Sequence, residues 1–424
     1  MLRAGPFPDG SQVDGRQVSR SIDLIFDGLS APVRLNGCEE LLQPIRTILP
    51  HWPFATMPSA DAEEPIAIIS PASRGRYSSV CLSSGGKTRV YDAIDAVCDM
   101  IVELSWEMLR SGQWLMCLHA AAIEMAGRLV IVPNVRRAGK STLTACLARR
   151  GYPIFSDDFV PVRLGDDGIL MGHANGICPR LRLPLPKDFS AGFRDWVGAD
   201  PGPANSRYKY LTGPVLPPNG TARPLGAIVI LDRRPNAPTA LQPMDEGAAM
   251  KALLHQNFAR SVHSATILNV LKVLLSVIKP MRLSYANAEE AADFLAAAFT
   301  DWQGPPPVAS DTERLAFREI DEDTLTAAQP VFYEDRVYER ASGITEMSMN
   351  GHHYLTDRSG LGIHSLNSGA LAIWRLLEEP MRLTDLSAVL SAAFPDVPHE
   401  QIAEDCADVL RRFVENRLVT SLEE

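Results

Sequence analysis

The stretch from Leu118 to Val162 limits what this chain can fold into more than any other. It reads LHAAAIEMAGRLVIVPNVRRAGKSTLTACLARRGYPIFSDDFVPV. An apolar run, Arg128 to Val132, feeds a loop ending in Gly139-Lys140-Ser141-Thr142, and Leu143 to Arg149 continues as a helix with Leu143, Cys146 and Leu147 on one face. Strand, tight loop and helix in that order form a phosphate cradle, because backbone amides of a small-residue loop and of the first helical turn converge on one point. Ala138 and Gly139 supply the small residues. Lys140 adds a mobile positive charge for the terminal phosphates, and the Ser141 hydroxyl, with Thr142 beside it, ligates a bridging Mg2+. The pattern G-x-x-x-x-G-K-[ST] expects glycine at position 134, where this chain has Asn134 after Pro133. Asparagine tolerates a left-handed backbone better than most residues, so the turn is expected to survive. The bland alternative is an ordinary Lys-Ser-Thr helix start.

Two flanking features favour the cradle. His119 is read on the strand before the loop, and Asp157 and Asp158 end the next apolar stretch, Tyr152 to Phe155. Parallel strands deliver their carboxyl ends to one crevice, so the paired aspartates are expected to face the phosphates held by Lys140. One carboxylate can then hold a metal while its neighbour accepts a hydroxyl proton. In isolation an Asp-Asp pair reads as a solvated turn.

With these residues in place the stretch resembles the HPr kinase/phosphorylase family, and more closely its peptide-modifying relatives found beside lasso-peptide and other ribosomal-peptide clusters. His119, Lys140, Ser141, Asp157 and Asp158 match the family's histidine, GKS and Asp-Asp in type, order and spacing. The resemblance implies an α/β fold of the P-loop, HPr kinase-like (PEP carboxykinase-like) type. It implies Asp158 as proton acceptor, Asp157 as its metal-side partner and His119 as the group that orients aspartate or phosphate, with ATP and Mg2+ as cofactors. Two departures are visible: the first glycine of the loop is absent, and no acidic residue lies between Ile177 and Leu183, where the bifunctional enzymes place another metal ligand. Reverse phosphorylase activity is therefore not expected.

The 424 residues suffice for two or three domains, and 46% hydrophobic with 22% charged residues is ordinary for a globular protein. A net charge of −10 argues against a nucleic-acid surface. The seven cysteines form no C-x-x-C pair, which suits thiols in a reducing cytoplasm. The longest apolar helix candidate, Ile267 to Ile278, is interrupted by Asn269 and Lys272 and falls short of the ~20 residues a bilayer requires. No membrane partner is expected.

Along the chain, 1–20 reads as a lead-in, 21–115 as an N-terminal α+β subdomain, 116–302 as the HPr kinase-like P-loop domain, 303–325 as a linker and 326–424 as a separate module. Short strands are expected at Ser21 to Phe26, Pro65 to Ser70, Tyr77 to Leu82 and Thr88 to Tyr91, with helices at Leu41 to Leu49 and Ala93 to Leu109. Prolines 179, 184 and 186 point to a loop beside the aspartates. Arg180 and Arg182 within it suit either a phosphate clamp or pairing with surface acids. Arg207 and Lys209 are further candidate cations. Helices are expected at Gly247 to Phe258 and Ile267 to Ile278, a strand at Met281 to Tyr285, and a capping-box start at Asn287 and Glu290. His255 and His263 read as plain helix and loop histidines.

After the proline-rich stretch Gln303 to Glu313, Tyr333 to Arg340 and Ile344 to Leu355 alternate like a hairpin. A strand at Gly360 to Leu366 and three helices follow, making a small winged-helix α+β unit. IHSLNSGALAIWRLL, LTDLSAVLSAAF and IAEDCADVLRRFVENRLV are together similar to a PqqD-type RiPP recognition element, the module that holds the leader of a ribosomal precursor peptide. Such a module offers a strand edge and a helix face to an extended peptide. Here Gly362, Ile363, His364 and Leu366 would form the edge, and Asp405, Asp408 and Arg412 the helix face, with Glu415 at its end. A DNA-binding winged helix is the alternative, opposed by the acidic third helix.

Joined, the halves imply a cytoplasmic ATP-dependent kinase that phosphorylates a Ser/Thr hydroxyl of a precursor peptide captured by its leader. The linker would let the core segment reach the active site. The rival readings are a catalytically degenerate nucleotide-binding peptide chaperone and a small-molecule kinase. A homo-oligomer and other peptide-maturation enzymes remain open as partners.

Overall fold

The computed structural model describes residues 21–59, 64–81, 85–111, 114–133, 138–256, 262–309 and 329–422. The chain divides into two compact units, Met1–Pro44 with Phe54–Leu104, and Ile45–Pro53 with Ser105–Glu424.

The first unit is built on a six-stranded sheet of β1 Ser21–Phe26, β2 Val33–Asn36, β3 Phe54–Pro58, β4 Ala67–Pro71, β5 Tyr77–Cys81 and β6 Thr88–Tyr91, in the order β3-β1-β2-β4-β5-β6. Helix α1 spans Leu42–Ile48 and α2 spans Ala93–Ser111. Strands β2 and β3 were not expected from the sequence: VRLN is short, and four of the five residues of FATMP are exposed, so neither has a clear period. Asp23 is buried, and Arg34 donates to both of its carboxylate oxygens at 2.8 and 3.0 Å, which makes its burial tolerable.

The second unit is organised by a nine-stranded mixed sheet. Its strands are β7 Met116–Leu118, β8 Ala120–Met125, β9 Arg128–Pro133, β10 Ile154–Ser156, β11 Val160–Leu164, β12 Leu170–His173, β15 Ala222–Arg233, β16 Ala240–Pro243 and β17 Pro280–Tyr285. The order is β10-β8-β9-β15-β12-β11-β7, with β17 parallel to β15 and β16 beside β17. Both faces are covered, and the sequence alternates accordingly. Ala120, Ala122, Leu129, Ile131, Ile228 and Ile230 point into one core; Ala121, Ile123, Val130, Val132, Val229 and Leu231 point into the other. The second core receives α3 Lys140–Arg149, α4 Ala191–Ala199 and α7 Ala288–Ala298; the first receives α5 Glu246–Leu254 and α6 Ser264–Val277.

One local expectation is revised, and two further details are added. The proline-flanked stretch is not wholly a loop: β13 Arg180–Arg182 pairs with β14 Tyr208–Tyr210 in a two-stranded ribbon, possible because Pro179 and Pro184 lie outside the paired residues. The capping-box start at Asn287 is realised by the asparagine, which accepts from the amides of Glu289 and Glu290 at 2.8 and 3.2 Å. The opening of the proline-rich stretch is held, since Ala309 donates to the Gly168 carbonyl at 2.9 Å and Val308 bridges to Ile169.

The C-terminal part contains β18 Val337–Arg340, β19 Thr345–Met349, β20 His352–Thr356, β21 Ile363–Leu366, β22 Met381–Arg382 and β23 Val419–Leu422. Its helices are α8 Ser368–Leu376, α9 Leu383–Ala393 and α10 His399–Glu415. The expected hairpin between Tyr333–Arg340 and Ile344–Leu355 is not formed. Instead β18 joins β22 and β23, while β19 and β20 make their own hairpin through Asn350-Gly351. Both turn residues have positive φ, 46° and 79°, the geometry of a tight two-residue hairpin turn. Sheet β19-β20-β21 divides its side chains between two cores. Met347, Met349 and Tyr354 join the core of α5 and α6, whereas Leu355 joins Trp374, Leu386, Leu410 and Phe413 beneath the three helices.

Candidate functional site

Sheet topology brings the chemistry to one edge. Strands β9 and β10 both run antiparallel to β8, so the carboxyl ends of β9 and β10 and the start of β8 share that edge; Ala120 pairs with Pro133, and Ser156 with Ala122. His119 therefore lies at the bend between β7 and β8, one strand earlier than expected, yet beside the point where β9 enters the loop. Asn134 lies outside the described residues. Gly139 opens α3 with φ 93°, a left-handed conformation that suits glycine. A Cβ there would also sit 2.7 Å from the Tyr285 hydroxyl, which donates to the Ala138 carbonyl. The first turn of α3 then presents Lys140, Ser141 and Thr142.

The Lys140 ammonium donates to the backbone carbonyl of Asp157. His119 Nε2 lies 3.0 Å from Asp158 Oδ1, and an Arg180 guanidinium nitrogen lies 3.9 Å from Asp158 Oδ2. The Arg180 amide donates to Asp157 Oδ2 at 2.7 Å. His119 and Asp158 keep 28% and 33% of their side-chain surface accessible, so the pair can be reached from solvent, whereas Asp157 and Lys140 are buried.

The two neighbouring carboxyls are driven in opposite directions. Burial raises Asp157, with Lys140 opposing and the Asp158 charge adding to the rise. Burial also works to raise Asp158, but the hydrogen bond from His119 and the charges of Lys140 and Arg180 outweigh it and hold that carboxyl well below the usual range. Desolvation lowers Lys140, opposed by Asp158 and Asp157. A depressed carboxyl beside a raised one is an environment that separates two acidic roles.

Residues that the sequence reading passed over hold this arrangement. The Ser156 hydroxyl accepts from the amides of Asp158 and Phe159, each at 3.0 Å, and from Asn175 Nδ2 at 3.0 Å. Asn175 also donates to the Phe159 carbonyl and accepts from the Ile177 amide. Ser156 had a local signal as a hydroxyl residue before a turn; Asn175, in the loop after β12, and Tyr285, at the end of β17, lie far along the chain and had none. Of the cations considered, Arg180 is the one placed at the aspartates, and its guanidinium lies 4.7 Å from the Tyr208 ring centroid. Arg207 flanks the same ring at 5.5 Å. Lys209 pairs with Leu181 along the ribbon, and Arg182 is exposed.

Among the described residues, no group of three His, Cys, Asp or Glu side chains forms a self-sufficient metal cage. The oxygen donors Ser141 and Asp157 suit Mg2+, which is commonly held by one or two protein oxygens together with substrate phosphates. His263 caps α6, its Nδ1 accepting from the Ala265 amide at 3.1 Å.

The second candidate site is a cavity of ≈ 390 Å³ between β21 and α10, lined by Ile363, His364, Leu366, Val409, Arg412 and Phe413. A neighbouring cavity of ≈ 380 Å³ adds Asp405, Asp408, Phe394 and Val397 and shares Ala370, Val409 and Arg412. Gly362 precedes the edge strand, where a Cβ would overlap the Asp357 carboxylate. Asp408 already pairs with Arg411 at 2.5 Å. Among the described residues β21 is an outer strand of its sheet, as is β19 at the opposite edge.

Residues 353–419 match the family model of coenzyme PQQ synthesis protein D (PqqD). No curated protein matches the chain. Among solved structures the chain is similar to the HPr(Ser) kinase/phosphatase from Coxiella burnetii, at 11% identity and a TM-score of 0.22, covering 43% of this chain and 93% of that one. Among the described residues no helix is long and apolar enough to cross a membrane.

Proposed function

We propose that this chain is an ATP-dependent kinase that phosphorylates a Ser or Thr hydroxyl of a ribosomally made precursor peptide, whose leader lies in the groove between β21 and α10. The observation that carries the reading is the convergence of Lys140, Asp157, Asp158, His119 and Arg180 on one sheet edge at the start of α3.

Asp158 is held ionised, so it can take the proton of the acceptor hydroxyl as that oxygen bonds to the γ-phosphorus and ADP departs with the electrons of the broken phosphorus–oxygen bond. His119, bonded to Asp158 Oδ1, fixes the orientation of that base. Lys140 and Arg180 offset the charge that spreads over the transferring group. Ser141 and Asp157 would hold Mg2+, which neutralises phosphate charge when bound. The PqqD match at 353–419 supports a peptide as partner, and the strand edge beside an apolar helix face suits strand addition.

The test incubates the full chain with ATP, Mg2+ and the short peptide encoded beside its gene, and measures peptide mass. Gain of one phosphate group, absent with Lys140→Ala, is the expected result. Retained peptide and nucleotide binding without a mass change would assign a nucleotide-dependent peptide chaperone, and ATP turnover without peptide a small-molecule kinase.

A further inference from the structure

The groove is not suspended from the phosphate-binding domain; it is built into it. The Ser264 amide, at the start of α6, donates to the Gly360 carbonyl at 2.6 Å, and the Tyr354 hydroxyl donates to the Gly247 carbonyl in α5 at 3.3 Å. Asn350 Nδ2 donates to Asp245 Oδ2 at 3.4 Å, and His352 lies 3.7 Å from the same carboxylate, whose other oxygen caps α5. Contact is close enough that a Cβ on Gly360 would overlap the His263 ring, and one on Gly247 the His352 ring. Met347, Met349 and Tyr354 complete the core of α5 and α6. Just beyond α5, the Gln256 carbonyl accepts from the His119 amide at 2.6 Å. One connection, Gln256 to Ser264, thus touches the catalytic edge at one end and the turn that starts β21 at the other.

We propose that this docking imposes a minimum length of peptide between the segment held along β21 and the hydroxyl that receives phosphate, so that Ser and Thr residues close to the leader are passed over. The inference rests on the peptide-kinase reading above. Its physics is that of two fixed sites joined by a flexible strand: transfer is near zero when the strand cannot span them, greatest when its natural reach matches the gap, and declines gently beyond. A groove on a loose tether would swing to meet short strands and show no lower limit. Chain geometry caps the gap. The eight residue steps from Gln256 to Ser264 reach at most about 29 Å, and the three from Gly360 to Ile363 about 11 Å. With the two hydrogen bonds, the start of β21 lies within about 45 Å of His119, which about 13 extended residues cover.

Peptides selected by display on the full chain, and retained only if Ala370→Trp weakens their capture about tenfold, supply the held segment. Each is extended, at either end in separate series, by Gly-Ala spacers of 1 to about 24 residues carrying one Ser followed by benzoyl-phenylalanine. Photolabelling of the peptides around His119 and Asp158 is read without ATP, and phosphate gain with ATP and Mg2+. The expected result is labelling at least tenfold below its maximum for the shortest spacers, a rise complete by about 13 residues, and a slow decline. Gly360→Val with Gly247→Leu should move the rise to shorter spacers while capture persists; if that pair fails to fold, the series on the unaltered chain still decides. Labelling that is strongest with the shortest spacer overturns the proposal. A labelling threshold with no phosphate at any length upholds the spacing and removes the kinase reading.

Discussion

The candidate catalytic edge and the candidate peptide groove belong to one compact unit and are made in opposite ways. At the edge, a few charged atoms from different elements converge: an ammonium from the start of α3, an imidazole from the β7–β8 bend, two carboxylates after β10 and a guanidinium from β13. In the candidate groove, the lining comes from β21, α8 and α10 and is largely apolar, with Arg412 shared by both cavities. The edge should therefore fail at a single substitution. The groove should fail only when its volume or its strand is obstructed.

The largest effect tests the edge. Lys140→Ala should lower phosphate transfer by roughly 10³-fold or more, with leader capture within about twofold of the parent by equilibrium binding; a parallel loss of capture would erase the distinction between the regions. Asp158→Asn should follow, with a loss on the order of 10²–10³-fold in turnover and retained nucleotide binding.

Asp357 opens the β20–β21 turn, whose Gly360 carbonyl accepts from the Ser264 amide of α6. Burial works to raise the Asp357 carboxyl, but the His364 imidazole 3.6 Å away and the hydrogen bond donated by the Ser359 hydroxyl at 2.6 Å prevail and hold it at about 2. A carboxyl depressed in the folded state stabilises above its unfolded pKa and loses that contribution as pH falls. Asp357→Asn should thus cost about 2 kcal/mol near neutrality, with the gap to the parent closing between about pH 4 and 2 in thermal melts. A constant gap would mean the loss is one of shape, not charge.

Smaller effects sharpen the groove. Ala370→Trp, which fills space shared by both cavities, should weaken leader capture about tenfold, roughly 1.4 kcal/mol, and leave turnover at saturating peptide unchanged. Asp408→Ala removes an exposed ion pair with Arg411 and should change stability by less than about 0.5 kcal/mol. A large loss of leader affinity from that one charge would show that the groove, too, relies on individual side chains.

Local signals in the sequence were legible where one element carried them. The strand before and the helix after the Lys140 loop, the carboxyls after β10, the cap at Asn287 and the strand Ile363–Leu366 all follow from short stretches. Cooperation between distant elements was hidden. His119 was read one strand out of place because the β8–β9 hairpin folds back on itself. The support from Ser156, Asn175 and Tyr285 is visible only once β10, the loop after β12 and β17 are brought to the same edge by the sheet. The β19–β20 hairpin had a signal in Asn350-Gly351, outweighed by the longer alternation that spans it. Tyr354-Leu355, two neighbouring apolar residues in a strand, was the trace of a sheet buried on both faces.

That dipeptide has a consequence for engineering and for descent. Because Tyr354 and Leu355 close two different interiors, cutting the module at its apparent boundary would open the hydrophobic core of α5 and α6. Heating should melt both regions in one transition, and a foreign recognition cassette would graft only if it carried matching residues at 347, 349 and 354. Retuning which peptide is accepted is then easiest along β21 and α10, leaving the inward-facing side chains untouched.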